Sequence, residues 1–367
     1  MSDPRIDKLA DVLVNYSIEV QAGDWVLISG HYLAVPLLNA VIAHVLKAGG
    51  HPTALLDAVE FQETILREAS DTQLEWISPL ETTAYEQVDA TIGVSATQNT
   101  RALTNVDPER QRIRQNARRE LMKTFMRRSA EGSLRWVGTL YPCPAYAQEA
   151  DMSLNEYEDF VYKATFADQP DPVKHWTAIH DEQARLIEWL KGKEEVVVRG
   201  PDIDLTLSIA GRTWINSDGK KNMPSGEIFT GPVEQSVTGW VRFTYPAIRS
   251  GREVEGVELT FEDGRVVTAK ASKNEGFLLS QLDSDPGARY LGEFAIGTNY
   301  GITQFTKNIL YDEKIGGTIH MAVGAGYPET GSQNESTIHW DLICDMRNDS
   351  EIVVDGELFY KNGKFQV

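Results

Sequence analysis

The sequence predicts two domains of different class: an α/β N-terminal domain with a parallel sheet over residues 1–190, and an α+β C-terminal domain with a mostly antiparallel sheet over residues 191–367. Three observations carry this expectation. In the first half, apolar runs of strand length alternate with amphipathic runs of helical period, as in βαβ units. Past about residue 190 the pattern changes to short strand-like runs parted by Gly, Asp-Gly and Asn-Gly. A chain of 367 residues is also long enough to bury two separate cores.

Taken in order, Ile6, Leu9, Val12, Leu13 and Tyr16 recur at helical spacing and predict a helix over 4–18. A buried strand follows over 25–30, ending at Gly30, then an apolar helix over 33–47 closed by Gly49-Gly50. Strand 53–57, helix 61–69, strand 90–96, one long basic helix over 108–130 and strand 134–140 continue the alternation. Strands this continuously apolar imply a parallel sheet covered on both faces. Helical patterns over 157–166 and 173–191 lead into the second half. There, strands are expected over 195–199, 204–209, 257–261, 265–271 and 352–354, with Asp263-Gly264 and Asn362-Gly363 as hairpin turns.

Composition narrows the class of function. Fifty-four Asp and Glu against 35 Lys and Arg leave a net charge of -19, which repels nucleic acid and anionic membrane. The expectation is therefore no nucleic-acid and no membrane partner. The basic run Arg118-Arg119, Lys123, Arg127-Arg128 reads as a solvated helix face or a contact to another subunit. No apolar run approaches the roughly 20 residues of a membrane span. The first residues carry no leader pattern, and two distant cysteines (Cys143, Cys344) suggest neither a disulfide framework nor a thiolate metal site. The cytoplasm is the expected location, and the sequons at Asn15, Asn334 and Asn348 are expected to be unmodified. There is no GxGxxG and no GxxxxGK[ST], so the parallel sheet announces no nucleotide chemistry, and Gly30 reads as a turn glycine.

The stretch from Asp312 to Asp345 organises the second half. With the period of a strand, Ile319, Met321 and Val323 share one face while Thr318, His320 and Ala322 share the other. In the next strand, His339, Asp341 and Ile343 lie opposite Ile338, Trp340 and Leu342. A His-x-Asp pair on one strand face can supply two ligands, or a ligand and the carboxylate that orients it. Glu227, Glu293 and Glu313 each sit among apolar residues, where an ionised carboxylate is costly unless paired or bound to metal. Each alone reads equally as a salt-bridged residue, His320 alone as a core histidine, and Tyr327 alone as core. The other five histidines (His31, His44, His51, His175, His180) fall in helix–strand packing or polar contexts.

With these residues the chain resembles the thermophilic-type metallo-aminopeptidases, the group of aminopeptidase T and aminopeptidase S. The resemblance spans nearly the whole chain. It runs from Lys8–Ser17 and Gly23–Ile28, through Asn222–Pro232, Leu291-Gly-Glu293 and His320–Pro328, to Ile338-His-Trp-Asp341. It implies two divalent metal ions per chain (Zn, Co or Mn) held by Glu227, Glu293, Glu313, His320, His339 and Asp341, with Tyr327 beside them. By the same resemblance Glu293 bridges the metals and Tyr327 helps to steady the oxyanion. Which carboxylate takes the proton is open, and Glu227 is our choice. Peptides with a free N-terminus are the implied substrates and a homodimer the implied assembly. Two departures are visible. Glu313 and His320 are two residues further apart than in the usual family pattern, and the segment from His320 to His339 is shorter.

Two rival readings exist. His320, His339 and Asp341 also make a 2-His-1-carboxylate set for mononuclear iron, as in a ring-cleaving dioxygenase of this fold. That site has no use for three further glutamates. A binding protein that kept the ligands without the chemistry is the other.

Overall fold

The computed structural model describes residues 3–249 and 251–367; Met1 and Ser2, part of the stretch read as lacking a leader pattern, lie outside them. The described chain divides into two compact units. One comprises Met1–His175 with Gly219–Pro224, the other Trp176–Asp218 with Ser225–Val367.

The first unit is α/β, as expected. Its five strands are all parallel, in the order His51–Asp57, Trp25–His31, Ala90–Ser95, Arg135–Leu140 and Asn222–Met223. The last strand comes from the short return of the chain at Gly219–Pro224. Gly30 sits within the second of these strands rather than at a turn. A Cβ there would meet the Val94 carbonyl at 2.9 Å and Leu38 at 3.0 Å, so strand and helix approach too closely for a larger residue. The sheet is not covered throughout. The strand His51–Asp57 lies at its edge, and Leu56 remains 58% exposed.

Helices begin where the sequence offers caps. Asp3 accepts from the Arg5 N–H ahead of Pro4–Asp11, and Ser153 and Glu156 form a capping box for Leu154–Ala164. The first helix changes to π-helical hydrogen bonding over Val12–Ser17. The expected single helix over 108–130 is two, Pro108–Ala117 and Arg119–Ala130, which meet at Arg118 with φ -81° and ψ -2°. Its basic face is partly internal: Arg118 pairs with Glu81 at 2.5 Å, and Arg128 donates to the Tyr85 carbonyl at 3.1 Å. Lys123 and Arg127 make exposed pairs with Glu120 and Glu131. Short helices over Asp71–Glu75 and Pro79–Gln87 lack enough apolar period to be read from sequence.

The second unit is built on antiparallel sheets. An eight-stranded sheet contains the expected hairpins. Asp263 and Gly264 turn with φ 47° and 80°, and Asn362 and Gly363 with φ 48° and 79°, the left-handed pair that a two-residue hairpin needs. A five-stranded sheet runs His339–Asp345, Thr318–Gly324, Leu291–Gly297, Glu227–Thr230, Ile215–Ser217. One face of it packs into a continuous apolar core with Ile319, Met321, Val323, Ile338, Trp340 and Leu342, the face assigned to them by period. Helix Pro172–Leu190 adds Leu186 and Leu190 to that core. The opposite face of the five-stranded sheet is where the polar residues gather.

Candidate metal centre

Antiparallel register brings the predicted residues together from separate strands. Asp341 stands opposite Ala322, His339 opposite Gly324, His320 opposite Ala295 and Glu227 opposite Gly297, so small residues alternate with the functional side chains. Glu293 arrives by a different route. A regular ladder from Leu291 opposite Val323 would set Glu293 opposite Met321, facing the core. A bulge at Gly292 inserts one residue, and Glu293 pairs with Ala322 on the polar face instead. A Cβ on Gly292 would run into the Ala325 carbonyl, so the bulge requires glycine.

The carboxylates and imidazoles then interlock. Glu293 presents Oε1 to His320 Nε2 and Oε2 to His339 Nε2, both at 3.3 Å. His320 Nε2 also lies 3.4 Å from Glu227 Oε2, and His339 Nε2 lies 3.4 Å from Asp341 Oδ1. Three overlapping groups have donor atoms within 4.8 Å of one another: Glu227, Glu293 and His320; Glu293, His339 and Asp341; Glu313, His320 and Asp341. Glu313, at the end of the short helix Ile309–Asp312, belongs to the last group despite its longer spacing. Tyr327 closes one side, its ring edge-on to His339 at 5.1 Å and 5.4 Å from Phe229. The other five histidines belong to none of these groups. His44 pairs with Asp7 and His180 with Asp218.

Charge explains why such a cluster wants cations. Burial works against ionised His320 and His339, yet the adjoining carboxylates prevail and push them up to about 9 and about 11. Burial also opposes the Asp341 carboxylate, but His339 holds it down to about 2. Glu313 is pushed up to about 7, by burial first and then by Glu227 and Asp341, against the pull of Lys314. The Tyr327 phenol is raised by burial and by the surrounding carboxylates, which keeps its proton in place as a donor. Four acids crowd a buried site, and oxygen and nitrogen donors at this spacing fit divalent cations of the Zn, Co or Mn kind. The hydrogen bond from His339 Nδ1 to the Ala325 carbonyl at 2.7 Å fixes its tautomer and leaves Nε2 for a metal. Glu227 Oε2 and His320 Nδ1 are buried without a hydrogen-bond partner.

Sequence reasoning missed two residues here. The first is Gly292, signalled only by a glycine inside a strand pattern. The second is Lys314, next to Glu313, whose side chain is fully buried and whose Nζ pairs with Glu313 and, at 3.7 Å, with Glu227. Nothing in the spacing marks a lysine as buried, since lysines are almost always solvated.

Comparison with known proteins gives the fold and the family. Aminopeptidase 2 of Geobacillus stearothermophilus is 26% identical across 96% of this chain and 91% of its own. Aminopeptidase T of Thermus thermophilus is 26% identical across 98% and 95%. Among solved structures, wild-type AmpT from Thermus thermophilus shares the fold, with a TM-score of 0.85 at 22% identity over 99% of both chains. The sequence model of the thermophilic metalloprotease (M29) family matches residues 2–365, and the chain belongs to that family.

Proposed function

We propose that this metallo-aminopeptidase holds two divalent cations among Glu227, Glu293, Glu313, His320, His339 and Asp341 and removes the first residue from peptides with a free N-terminus. The observation that carries the reading is Glu293, whose two oxygens each lie 3.3 Å from a different imidazole, so one side chain serves both halves of the donor set. When bound, the cations supply Lewis acidity and bring the pKa of water toward about 7.

The chain's own groups do the rest. Glu227, the buried first residue of its strand, is our choice to accept the proton of the attacking water. Tyr327 donates its phenolic proton in a hydrogen bond to the carbonyl oxygen as negative charge develops there. The surplus of carboxylates receives the substrate α-ammonium, which explains a requirement for a free N-terminus. Asp341 also forms part of the wall of a cavity of ≈ 270 Å³, with an apolar side of Ala247, Ile248, Phe305, Ile309 and Ile343 and a polar side that includes Lys307, Asn308 and Asp312. We assign that cavity to the side chain of the residue being released, with apolar residues preferred.

The iron oxygenase reading is set aside, because it leaves three clustered glutamates without work and the relatives named above are aminopeptidases. We expect a homodimer. Its support is the apolar surface of Leu56, Phe61 and Ile65, exposed on the sheet-edge strand and the helix after it. Light scattering in solution tests that. We place the enzyme in the cytoplasm on the strength of its two buried, unpaired cysteines. Among the described residues no helix is long and apolar enough to cross a membrane.

Reconstitution tests the activity. Apo-protein receives Zn, Co or Mn and is assayed on a panel of aminoacyl-anilides beside their N-acetyl forms. Two metals per chain and release from free-amine substrates alone are expected. Hydrolysis with none of these metals, or oxygen uptake with a single iron, overturns the reading.

A further inference from the structure

Lys314 lies inside the acidic cluster with no side-chain exposure, and its position is set by the backbone around it. Its carbonyl accepts from the Asn299 N–H at 3.1 Å, and the Gly316 N–H donates to the Asn299 carbonyl at 2.9 Å. Asn299 Nδ2 in turn donates to the Ser225 carbonyl at 2.9 Å, while the Thr298 N–H donates to the Gly226 carbonyl at 2.8 Å. The Asn299 turn therefore ties the segment leading to Glu227 to the loop that carries Glu313 and Lys314. The lysine is built into one end of the site.

Its ion pairs are confined to that end. The ammonium meets Glu313 and Glu227, whereas the contacts of His339 are with Glu293 and Asp341. The donor set is thus lopsided before any metal enters. The group Glu293, His339 and Asp341 makes no ion pair with the ammonium, whose charge reaches it only through Asp341. The groups that draw on Glu227 and Glu313 must share theirs with a fixed positive charge, which buried surroundings screen poorly.

We propose that Lys314 makes the two cation positions unequal. The position at Glu293, His339 and Asp341 fills first and keeps its ion. The position that depends on Glu227 and Glu313 is opposed by the resident ammonium and exchanges with free metal. Metal supply then sets the fraction of fully loaded enzyme. The inference rests on the two-cation reading above.

Zinc titration of the full-length apo-protein tests it, by calorimetry and by metal analysis after gel filtration. The wild-type chain should retain about one Zn²⁺ per chain through the column, with the second bound at least about 100-fold more weakly. Lys314→Met keeps the length and removes the charge, and it should retain two Zn²⁺ with constants within about tenfold of each other. Lys314→Arg should preserve the inequality. Two equal equivalents in the wild-type chain, or an unchanged gap in Lys314→Met, overturn the inference and leave the two-cation reading standing. No more than one equivalent in either chain at saturating Zn²⁺ overturns both. Should Lys314→Met fail to fold, His339→Ala decides the matter: it should lose the tight equivalent and keep the weak one, and the reverse pattern refutes the assignment.

Discussion

Glu293 pairs across the sheet with Ala322, one step from where an unbroken ladder after Leu291 would place it. That single-residue slip carries the glutamate from the apolar core to the polar face, beside both imidazoles. Gly292 makes the slip, and the space a Cβ would need there is taken by the carbonyls of Gly324 and Ala325. Gly292→Ala should therefore damage the site more than its size suggests. A methyl group there forces the strands apart or straightens the bulge, at roughly 1–3 kcal/mol of stability. Displacing Glu293 by about 1 Å should cost about 10²-fold in kcat/KM. Thermal unfolding and metal content measured on the same preparation separate the two effects. A variant with full metal content and full activity would show that the bulge does not position the ligand.

Tyr327 is half a wall and half a donor. Its ring covers His339 edge-on, and its phenol keeps its proton amid the carboxylates. Tyr327→Phe retains the wall and removes the donor. The expected outcome is a fall of about 10²-fold in kcat with KM little changed, as for loss of one oxyanion donor. A rise in KM at constant kcat would instead assign the hydroxyl to substrate binding.

Metal loading should release protons. In the metal-free protein His320 and His339 titrate at about 9 and about 11, so at pH 7 both are imidazolium, and ligation must expel about two protons. Apparent affinity should accordingly rise with pH, steeply up to about 9 and less steeply from there to about 11. The stability of the metal-free chain should move the other way. A pKa raised above the unfolded 6.5 contributes stability that is complete below about pH 6.5 and is lost as pH rises through 9 and then 11. The gain in melting temperature on adding metal should thus widen between pH 7 and pH 9. Calorimetry in buffers of different ionisation enthalpy counts the protons; none released would mean that the imidazoles are already neutral without metal.

Much of this was legible in the sequence, and for a physical reason. Strand period is rigid, so His320 opposite Met321, and His339 beside Asp341, could be assigned to faces without coordinates. The Asp-Gly and Asn-Gly pairs at 263–264 and 362–363 favour left-handed backbone, and the turns followed. What escaped depends on events that period does not encode. Gly292 alters the register by one residue, Arg118 ends a helix whose charge pattern continues past it, and Lys314 is buried because Glu313 and Glu227 compensate it. The edge strand His51–Asp57 was apolar enough to look covered, but apolar sequence does not reveal whether a second layer exists.

The cavity beside Asp341 gives the last prediction. Ala247, Ile248, Phe305, Ile309 and Ile343 give it an apolar side beside the polar Lys307, Asn308 and Asp312, with room for a leucine or phenylalanine side chain next to Asp341. Ile248 and Ile309 are the partly exposed members, 36% and 48% accessible, so enlarging either narrows the cavity without disturbing the core. Ile248→Trp and Ile309→Trp should each lower kcat/KM for leucyl- and phenylalanyl-anilides by roughly tenfold. Alanyl-anilide should be turned over almost unchanged, since its methyl group does not reach the narrowed region. The ratio of the two rates is the informative quantity, because a general loss of metal or of folding lowers both together. A ratio unmoved by either substitution would place the side-chain pocket elsewhere on the site's rim and leave this cavity as packing space beneath Asp341.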